Sequence, residues 1–322
     1  MLRAILAQTF TDFELLVRED GSDGEETARV VARFDDSRLR FDRSDVRLGI
    51  PGVVNALIDQ SVGELVLVLH DHDVCQPRYV EALVGALDAH PSALYAHGGG
   101  EIVDAQRAVC VCLRRPFAAL TSGRSFLDLL LGQMECPVSA CALVRRSAYE
   151  RHGLLDPEYG FVADVELWMR LAAAGDVAYV PEVLISYAQR ESGHEYHGVN
   201  WPLAEALAAI HWRYGRQYRR WGLAWLRRWW AVEQYLVSCY LTTVDDPNAE
   251  QRERDRARAV LSRVGGLASL LLSHIPPSLV ARRRRRGFDR PSRSDPTHGH
   301  TPCARRHSRA AAPTGAGSAP DP

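Results

Sequence analysis

Two carboxylates separated by a single residue, Asp71 and Asp73, follow directly after a buried apolar run. The run from Glu64 to His70 has the length and composition of a core strand. Residues two apart in a strand point to the same side, so we predict that both acids face one way at the carboxyl edge of a sheet. Ligands of open α/β sheets bind along this edge. The pair therefore predicts a site for Mg²⁺ or Mn²⁺ against a diphosphate, although the same pattern is also typical of a solvated turn.

The segments around this pair alternate between strand and helix patterns. Such alternation predicts an α/β fold with a mostly parallel sheet and helices on both faces. The predicted strands are Phe13–Val17, Leu39–Phe41, Leu65–Leu69, Ala93–Ala96, Ala140–Val144 and Val177–Val180. The predicted helices are Glu25–Phe34, Pro51–Ser61, Pro77–Ala89, Ser147–His152 and Asp164–Ala173.

Composition is that of an ordinary globular protein, with 46% apolar and 25% charged residues among 322. The net charge of −1 argues against a general polyanion binder, and we expect no nucleic-acid partner. The seven cysteines are odd in number and irregularly spaced, so we expect reduced thiols in a cytoplasmic protein. No run is long and apolar enough for a membrane span, and no signal peptide pattern is present.

The chain divides into three parts by composition. Residues 1–200 carry the α/β pattern, residues 201–280 form a helical region rich in Trp and Arg, and residues 281–322 form a basic, low-complexity tail that we expect to be disordered. No acid occurs between Glu205 and Glu233, while arginines and tryptophans interleave there. Two interpretations remain open: peripheral contact with an anionic membrane at its inner face, or a helical hairpin packed on the first part.

Three segments together resemble family 2 glycosyltransferases of the GT-A fold: residues 6–27, 47–73 and 142–175. The resemblance covers roughly residues 5–190 and rests on the order and spacing of the segments. It implies transfer of a sugar from a nucleoside-diphosphate sugar to an acceptor hydroxyl, with inversion at the anomeric carbon. The implied acceptor is a glycan or glycolipid of cell-surface polysaccharide or glycolipid synthesis.

The resemblance assigns nucleotide contacts to two acidic pairs. Glu19 and Asp20 match the pair that contacts the base, where a carboxylate accepts an imide N–H; a turn-forming Asp-Gly is the alternative. Asp71 and Asp73 match the Asp-x-Asp element that binds the ribose and the metal-bridged diphosphate. The match is uncertain by one position, and the shifted alignment makes His72 the metal-facing side chain. Because hard ions favour carboxylates, we prefer the two aspartates as ligands.

The resemblance also assigns a general base and a further metal ligand. Asp164 matches the residue that takes the acceptor's proton, although acids at a helix start also have a purely structural explanation. His194 lies in a degenerate version of a segment that can complete the metal shell; an exposed loop histidine is the alternative.

The strand with which the family begins is absent before Met1. That strand is central in the family's sheet, so we expect an upstream start and an incomplete base pocket in the chain as printed. The main rival hypothesis is therefore a non-catalytic pseudoglycosyltransferase that scaffolds a membrane-associated assembly. A nucleotidyltransferase is the other rival, but no loop typical of activated-nucleotide binding is visible in the sequence.

Overall fold

The protein is described from a computed structural model. It describes residues 1–21, 25–104, 107–113, 115–132, 134, 136–138, 141–188, 200–217, 223–246, 249–266, 269 and 274. The strands are β1 Leu15–Asp20, β2 Leu39–Ser44, β3 Leu65–Leu67, β4 Val74–Cys75, β5 Ala93–Val103, β6 Val109–Cys112, β7 Leu120–Thr121, β8 Leu143–Arg145 and β9 Asp176–Ala188. The helices are α1 Leu2–Leu6, α2 Glu26–Val31, α3 Gly49–Gln60, α4 Tyr79–Ala89, α5 Gly123–Gly132, α6 Arg146–His152, α7 Ala163–Ala172, α8 Trp201–Gln217, α9 Leu223–Asp245 and α10 Gln251–Val264, with a 3₁₀ helix at Pro157–Val162.

The main sheet has seven strands, with β3, β8, β5, β9 and β4 in that order, β6 on β5 and β7 on β9. The predicted α/β fold is confirmed, and the main sheet, expected to be mostly parallel, is mixed. Within this sheet only the pairing of β5 with β9 is parallel among the described strands, and the other pairings are antiparallel. Short strands such as β4, β6 and β7, which the alternation pattern does not reveal, account for much of this difference.

Strand β9 continues beyond its predicted end at Val180. Pro181, the next residue, has no N–H for a sheet hydrogen bond. The pairing with β5 shifts register opposite this position, between Gly98 and Gly99, and resumes at Val183. A bulge therefore absorbs the proline, and the two long strands run side by side to Ala188.

Strands β1 and β2 pair in parallel as a separate two-stranded sheet. Among the described residues β1 has no other strand partner, and β3 pairs only with β8. The Glu14 carboxylate, just before β1, accepts the amides of Val62 and Gly63, just before β3, at 2.5 and 3.2 Å. In the described part of the chain, side-chain to backbone hydrogen bonds thus link the starts of β1 and β3.

Apolar layers cover both faces of the main sheet. Tyr95 and Val144 pack into a cluster with α5 and α7, whereas the adjacent Ala96 and Leu143 pack into a second cluster with α4. Neighbouring strand residues thus alternate between the two cores, as the two-residue period of a strand requires. An apolar layer therefore covers the sheet on each face.

The last three helices, α8 to α10, enclose a third apolar cluster. Trp201 lies inside it and donates its indole N–H to Thr243 at 3.0 Å, and Trp212 donates to the Val264 carbonyl at 2.6 Å. These tryptophans therefore face the protein, as the packed-hairpin interpretation predicts. No helix in the described part of the chain is long and apolar enough to cross a bilayer. The tail from residue 281 onward lies outside the described residues, so its predicted disorder stays a prediction.

Candidate active site

A tight turn follows β3 and decides which side chains meet at the sheet edge. The strand ends at Leu67, and the Asp73 amide donates to the His70 carbonyl at 3.3 Å. Because the chain turns between these residues, the two-residue alternation of a strand does not extend to Asp71 and Asp73. The two acids therefore face different surroundings: the Asp71 side chain is 78% exposed, while that of Asp73 is 1% exposed.

His70, His72 and Asp73 converge at this turn. One ligand atom from each lies within 4.8 Å of the others. His70 Nδ1 is 3.6 Å from Asp73 Oδ2, and His72 Nε2 is 3.7 Å from Asp73 Oδ1. The two imidazole rings stack at 5.4 Å with an angle of 18° between their planes. We call these three residues the His-His-Asp cluster. It shares Asp73 with the predicted pair, but its other members are two histidines and not Asp71.

Asp73 is held in place from the protein side. Its Oδ2 accepts a hydrogen bond from the buried Cys141 thiol at 3.3 Å, and burial together with the Asp73 charge raises the pKa of that thiol well above its ordinary value. Its Oδ1 is buried and has no hydrogen-bond partner. A buried carboxylate oxygen without a donor is costly, and a cation next to the two histidines would satisfy it. The residues present therefore fit a divalent ion.

Glu19 and Asp20, the predicted base contacts, both have partners within the chain. The Glu19 carboxylate accepts from Arg43 Nε at 2.9 Å. The Asp20 carboxylate accepts the amides of Leu48 and Gly49 at 2.6 and 2.9 Å, where α3 begins. Asp20 thus supplies acceptors for amides that a helix start leaves unpaired, which is the structural role of an acid at this position.

Asp164 lies in the first turn of α7, after the 3₁₀ helix. Its Oδ1 accepts the Val165 amide at 2.8 Å. Burial raises the pKa of Asp164 from 3.8 to about 6, against the lowering effect of backbone hydrogen bonds. A carboxyl with a pKa near 6 can take a proton in neutral solution and is a suitable general base.

Residues 1–153 match the family model described as Glycosyl transferase family 2. We call residues 1–153 the family 2 region, after the family that they match. An uncharacterised glycosyltransferase of Rickettsia conorii is 25% identical over 192 residues, which are 57% of this chain. The chain spans only 30% of the length of that relative.

Solved structures of similar fold include residues 1–349 of TarS from S. aureus. Its complex with UDP-GlcNAc has a TM-score of 0.61 at 15% identity, covering 81% of this chain and 75% of TarS 1–349. Its complex with UDP gives 0.58 at 14% identity, covering 81% and 74%. At this identity the likeness concerns the fold alone, and the family 2 region has the GT-A fold expected from the sequence.

The chain therefore has two groups of candidate residues: the His-His-Asp cluster in the family 2 region and Asp164, which follows that region. Sequence reasoning named Asp73 and Asp164, placed His72 second to the aspartates, and missed His70. The available signal was the His-Asp-His-Asp order itself, which alternates two ligand types across a possible turn. His194 lies outside the described residues, and its role as a ligand stays a prediction.

A pocket is lined by residues of β5, of β9 and of the segment that precedes β8. Gly100 lines it, and a Cβ added there would lie 2.5 Å from the Tyr187 ring. A larger residue at this position would therefore clash with the ring. The other lining residues are Gly98, Leu113, Arg115, Cys136 and Pro137.

Proposed function

We propose that this chain transfers a sugar from a nucleoside-diphosphate sugar to an acceptor hydroxyl, with inversion at the anomeric carbon. The family and the fold support a glycosyltransferase. TarS, which shares the fold, binds UDP-GlcNAc and UDP, and this supports a nucleotide sugar as the donor here. The acceptor that we propose is a glycan or glycolipid hydroxyl of cell-surface synthesis.

The observation that carries the proposal is the perturbed carboxyl of Asp164. An attacking hydroxyl becomes a good nucleophile only as it loses its proton, so the acceptor oxygen needs a base beside it. Asp164 has the required protonation behaviour, because its pKa of about 6 leaves it ionised at neutral pH and still basic enough to accept a proton. Its place in the first turn of α7, a helix packed in the core, gives the carboxylate a fixed direction.

We assign the donor diphosphate to the edge that carries the His-His-Asp cluster. A divalent ion held by His70, His72 and Asp73 would neutralise the departing diphosphate when bound. Mg²⁺ or Mn²⁺ is the cofactor that the sequence predicts. The partly exposed histidines leave the outer side of the cluster open to a ligand, while Cys141 and the buried side of Asp73 close the inner side.

Thermal unfolding tests donor binding directly. With Mn²⁺ present, UDP at about 100 times its Kd should raise the stability of the full chain by about 2.7 kcal/mol, and Tm should rise accordingly. GDP and dTDP serve as comparison nucleotides and would reveal the base preference. An unchanged Tm with all three nucleotides would contradict the donor assignment.

Asp164→Asn tests the base. We expect the transfer rate to fall by 10²–10⁴-fold while the affinity for UDP stays within about twofold, because the change removes a proton acceptor and keeps the shape. Glu158→Gln, an exposed acid in the adjacent 3₁₀ helix, is the matched control and should change neither quantity. An equal loss of nucleotide binding and transfer in Asp164→Asn would assign the residue to donor binding.

One observation favours the second candidate, a non-catalytic scaffold. The carboxylates of Glu19 and Asp20, which the sequence predicts to read the base, are engaged with Arg43 and with the start of α3. A chain that retains the fold without nucleotide affinity would bind anionic vesicles and leave UDP unbound. Vesicle flotation together with the Tm experiment separates the two functions.

A further inference from the structure

We propose that His70, His72 and Asp73 form a mixed nitrogen and oxygen site that selects a first-row transition-metal ion, such as Zn²⁺ or Co²⁺, over Mg²⁺. In the same proposal Asp71 acts as a positioning residue for His72 and is not itself a ligand. Where it concerns the cofactor of sugar transfer, this inference rests on the proposed function. Metal binding itself can be tested without any nucleotide.

The spacing of the donor atoms suits a small ion. A zinc ion lies about 2.0–2.2 Å from each nitrogen or oxygen ligand, so two ligands of a tetrahedral site are roughly 3.3–3.5 Å apart. The histidine nitrogens are 3.6 and 3.7 Å from the two Asp73 oxygens. All three ligand atoms lie within 4.8 Å of one another, and the partly exposed imidazole rings can approach a common ion by side-chain rotation.

The ligand types decide which ion is preferred. Imidazole nitrogen binds Zn²⁺, Co²⁺ and Cu²⁺ well, whereas Mg²⁺ prefers carboxylate, carbonyl and water oxygen. Two histidines, and not Asp71, converge with Asp73. The ligand set therefore favours a transition-metal ion over the Mg²⁺ expected from the sequence. The histidines bind as neutral rings, so Asp73 is the only anionic ligand of the cluster.

Asp71 orients His72 toward the cluster. Its Oδ1 is 2.9 Å from His72 Nδ1, on the opposite side of the ring from the Nε2 that faces Asp73. When the carboxylate holds the proton on Nδ1, Nε2 presents its lone pair to the ion. Metal-binding histidines are commonly fixed in this way by a carboxylate on the second ring nitrogen.

The buried oxygen of Asp73 is the independent observation that points to a ligand. Asp73 Oδ1 is buried without a hydrogen-bond donor, and the nearest ring nitrogen is too distant for a hydrogen bond. The Cys141 thiol already occupies Oδ2 from the protein side. A cation between the rings and Oδ1 would supply the missing partner.

Spectroscopy of the full chain without nucleotide tests the site. The metal-free protein is titrated with Cu²⁺ as an imidazole-sensitive probe, and electron paramagnetic resonance counts the bound ring nitrogens. We expect two nitrogens, and one after either His70→Ala or His72→Ala. In competition for Co²⁺, Zn²⁺ should displace the bound ion at a concentration at least about 100-fold below that of Mg²⁺. Asp71→Asn should weaken Zn²⁺ binding by roughly 10–100-fold while both nitrogens remain.

The matched control uses a second His-x-His pair, His298 and His300, in the tail. Their double change to alanine should leave the nitrogen count and the Zn²⁺ affinity unchanged. Loss of the signal in this control, or equal competition by Mg²⁺ and Zn²⁺, would overturn the inference. If transfer proceeds with Mg²⁺ and no histidine nitrogen binds metal, only the inference fails. If the site binds Zn²⁺ but no nucleotide shifts Tm, only the proposed function fails.

Discussion

Asp164 occupies a helix position where the dipole and backbone amides lower the pKa of a carboxyl, yet its pKa is raised to about 6. The removal of water by the packed core around Val162 and Ala163 therefore outweighs the helix. Asp20 lies at a solvent-accessible helix start, where its carboxylate accepts two backbone amides. The same residue type thus serves as a candidate base in one place and as a helix-start acceptor in the other, according to its surroundings.

The raised pKa of Asp164 gives a pH-dependent stability. Between pH about 4 and 6 the folded chain holds a proton on Asp164 that the unfolded chain has lost, so the free energy of unfolding falls as pH rises through this window. We expect a fall of about 1–3 kcal/mol, reduced from the full value by partial exposure. Asp164→Asn should remove this part of the slope in urea unfolding curves measured from pH 4 to 7. An identical slope in the variant would contradict the burial of this carboxyl.

The same pKa sets the pH profile of activity. Transfer should fall about tenfold for each pH step of one below about 6, because the base becomes protonated. Single-turnover rates at saturating donor measure this directly. A flat profile from pH 5 to 7 would assign the proton transfer to another group.

Substitutions of Asp20 distinguish a structural role at the start of α3 from a role in binding the nucleotide base. As an acceptor for the Leu48 and Gly49 amides, Asp20→Ala should lower the free energy of unfolding by about 1–2 kcal/mol, and Asp20→Asn by less, because the amide oxygen still accepts. If Asp20 reads the base, Asp20→Asn would instead weaken UDP affinity without a loss of stability. Urea unfolding and nucleotide titration of both variants distinguish these outcomes.

At the scale of elements, α8 holds α7 through a buried polar contact. Glu166, two residues after Asp164, accepts Tyr214 Oη from α8 at 2.5 Å and Arg170 Nη2 at 2.8 Å. Arg170 also donates to the carbonyls of His152 and Leu154. The buried carboxylate is thus satisfied from two elements, and the helix that carries the candidate base depends on the C-terminal region for its position.

Tyr214→Phe measures this link. Loss of a buried hydrogen bond to a charged group should lower the free energy of unfolding by about 1.5–3 kcal/mol and increase amide exchange in α7. Tyr159→Phe is the matched control, since its hydroxyl accepts only from the exposed Arg213 among the described contacts, and we expect a change below about 1 kcal/mol. Equal losses of stability in the two variants would show that the buried hydrogen bond to Glu166 contributes no more than the exposed contact of Tyr159.

At the scale of the whole molecule, the described part of the Trp/Arg-rich region is packed and carries two exposed apolar side chains. Trp201 and Trp212 point inward, and Arg228 pairs with Asp128 of α5. Leu226 and Trp230, one helical turn apart on α9, are about half exposed. The sequence predicts peripheral membrane contact for this region. Leu226 and Trp230 are the described apolar side chains that could make that contact.

Vesicle binding tests that contact. We expect wild-type protein to bind anionic vesicles and the double variant Leu226→Ser with Trp230→Ser to bind at least about tenfold more weakly, since two apolar side chains are lost from the interface. Val62→Ser, which removes a more exposed apolar side chain from the other part of the molecule, is the control and should not change binding. Unchanged binding by the double variant would assign any membrane affinity to charge alone.

The sequence by itself determined most of the elements and the α/β class. The helices at residues 49–60, 79–89 and 163–172, the strand at 65–67 and the start of the strand at 176–188 lie within a few residues of their predicted positions. These segments could be predicted because periodic apolar residues and local breakers act over short distances. Asp164 was predicted as a base only through the family resemblance, because an acid at the start of a helix also has a purely structural explanation.

Only the tertiary structure decided the strand directions and the composition of the site. β9 pairs in parallel with β5 but antiparallel with β4 and β7, and those choices depend on contacts between distant segments. At the sheet edge, alternation predicted Asp71 beside Asp73, but the turn after Leu67 brings His70 and His72 to Asp73. Cys141, 68 residues away along the chain, then holds that carboxylate in place. A residue's side-chain direction at the end of a strand depends on where the chain turns, and packing against the rest of the fold sets that point.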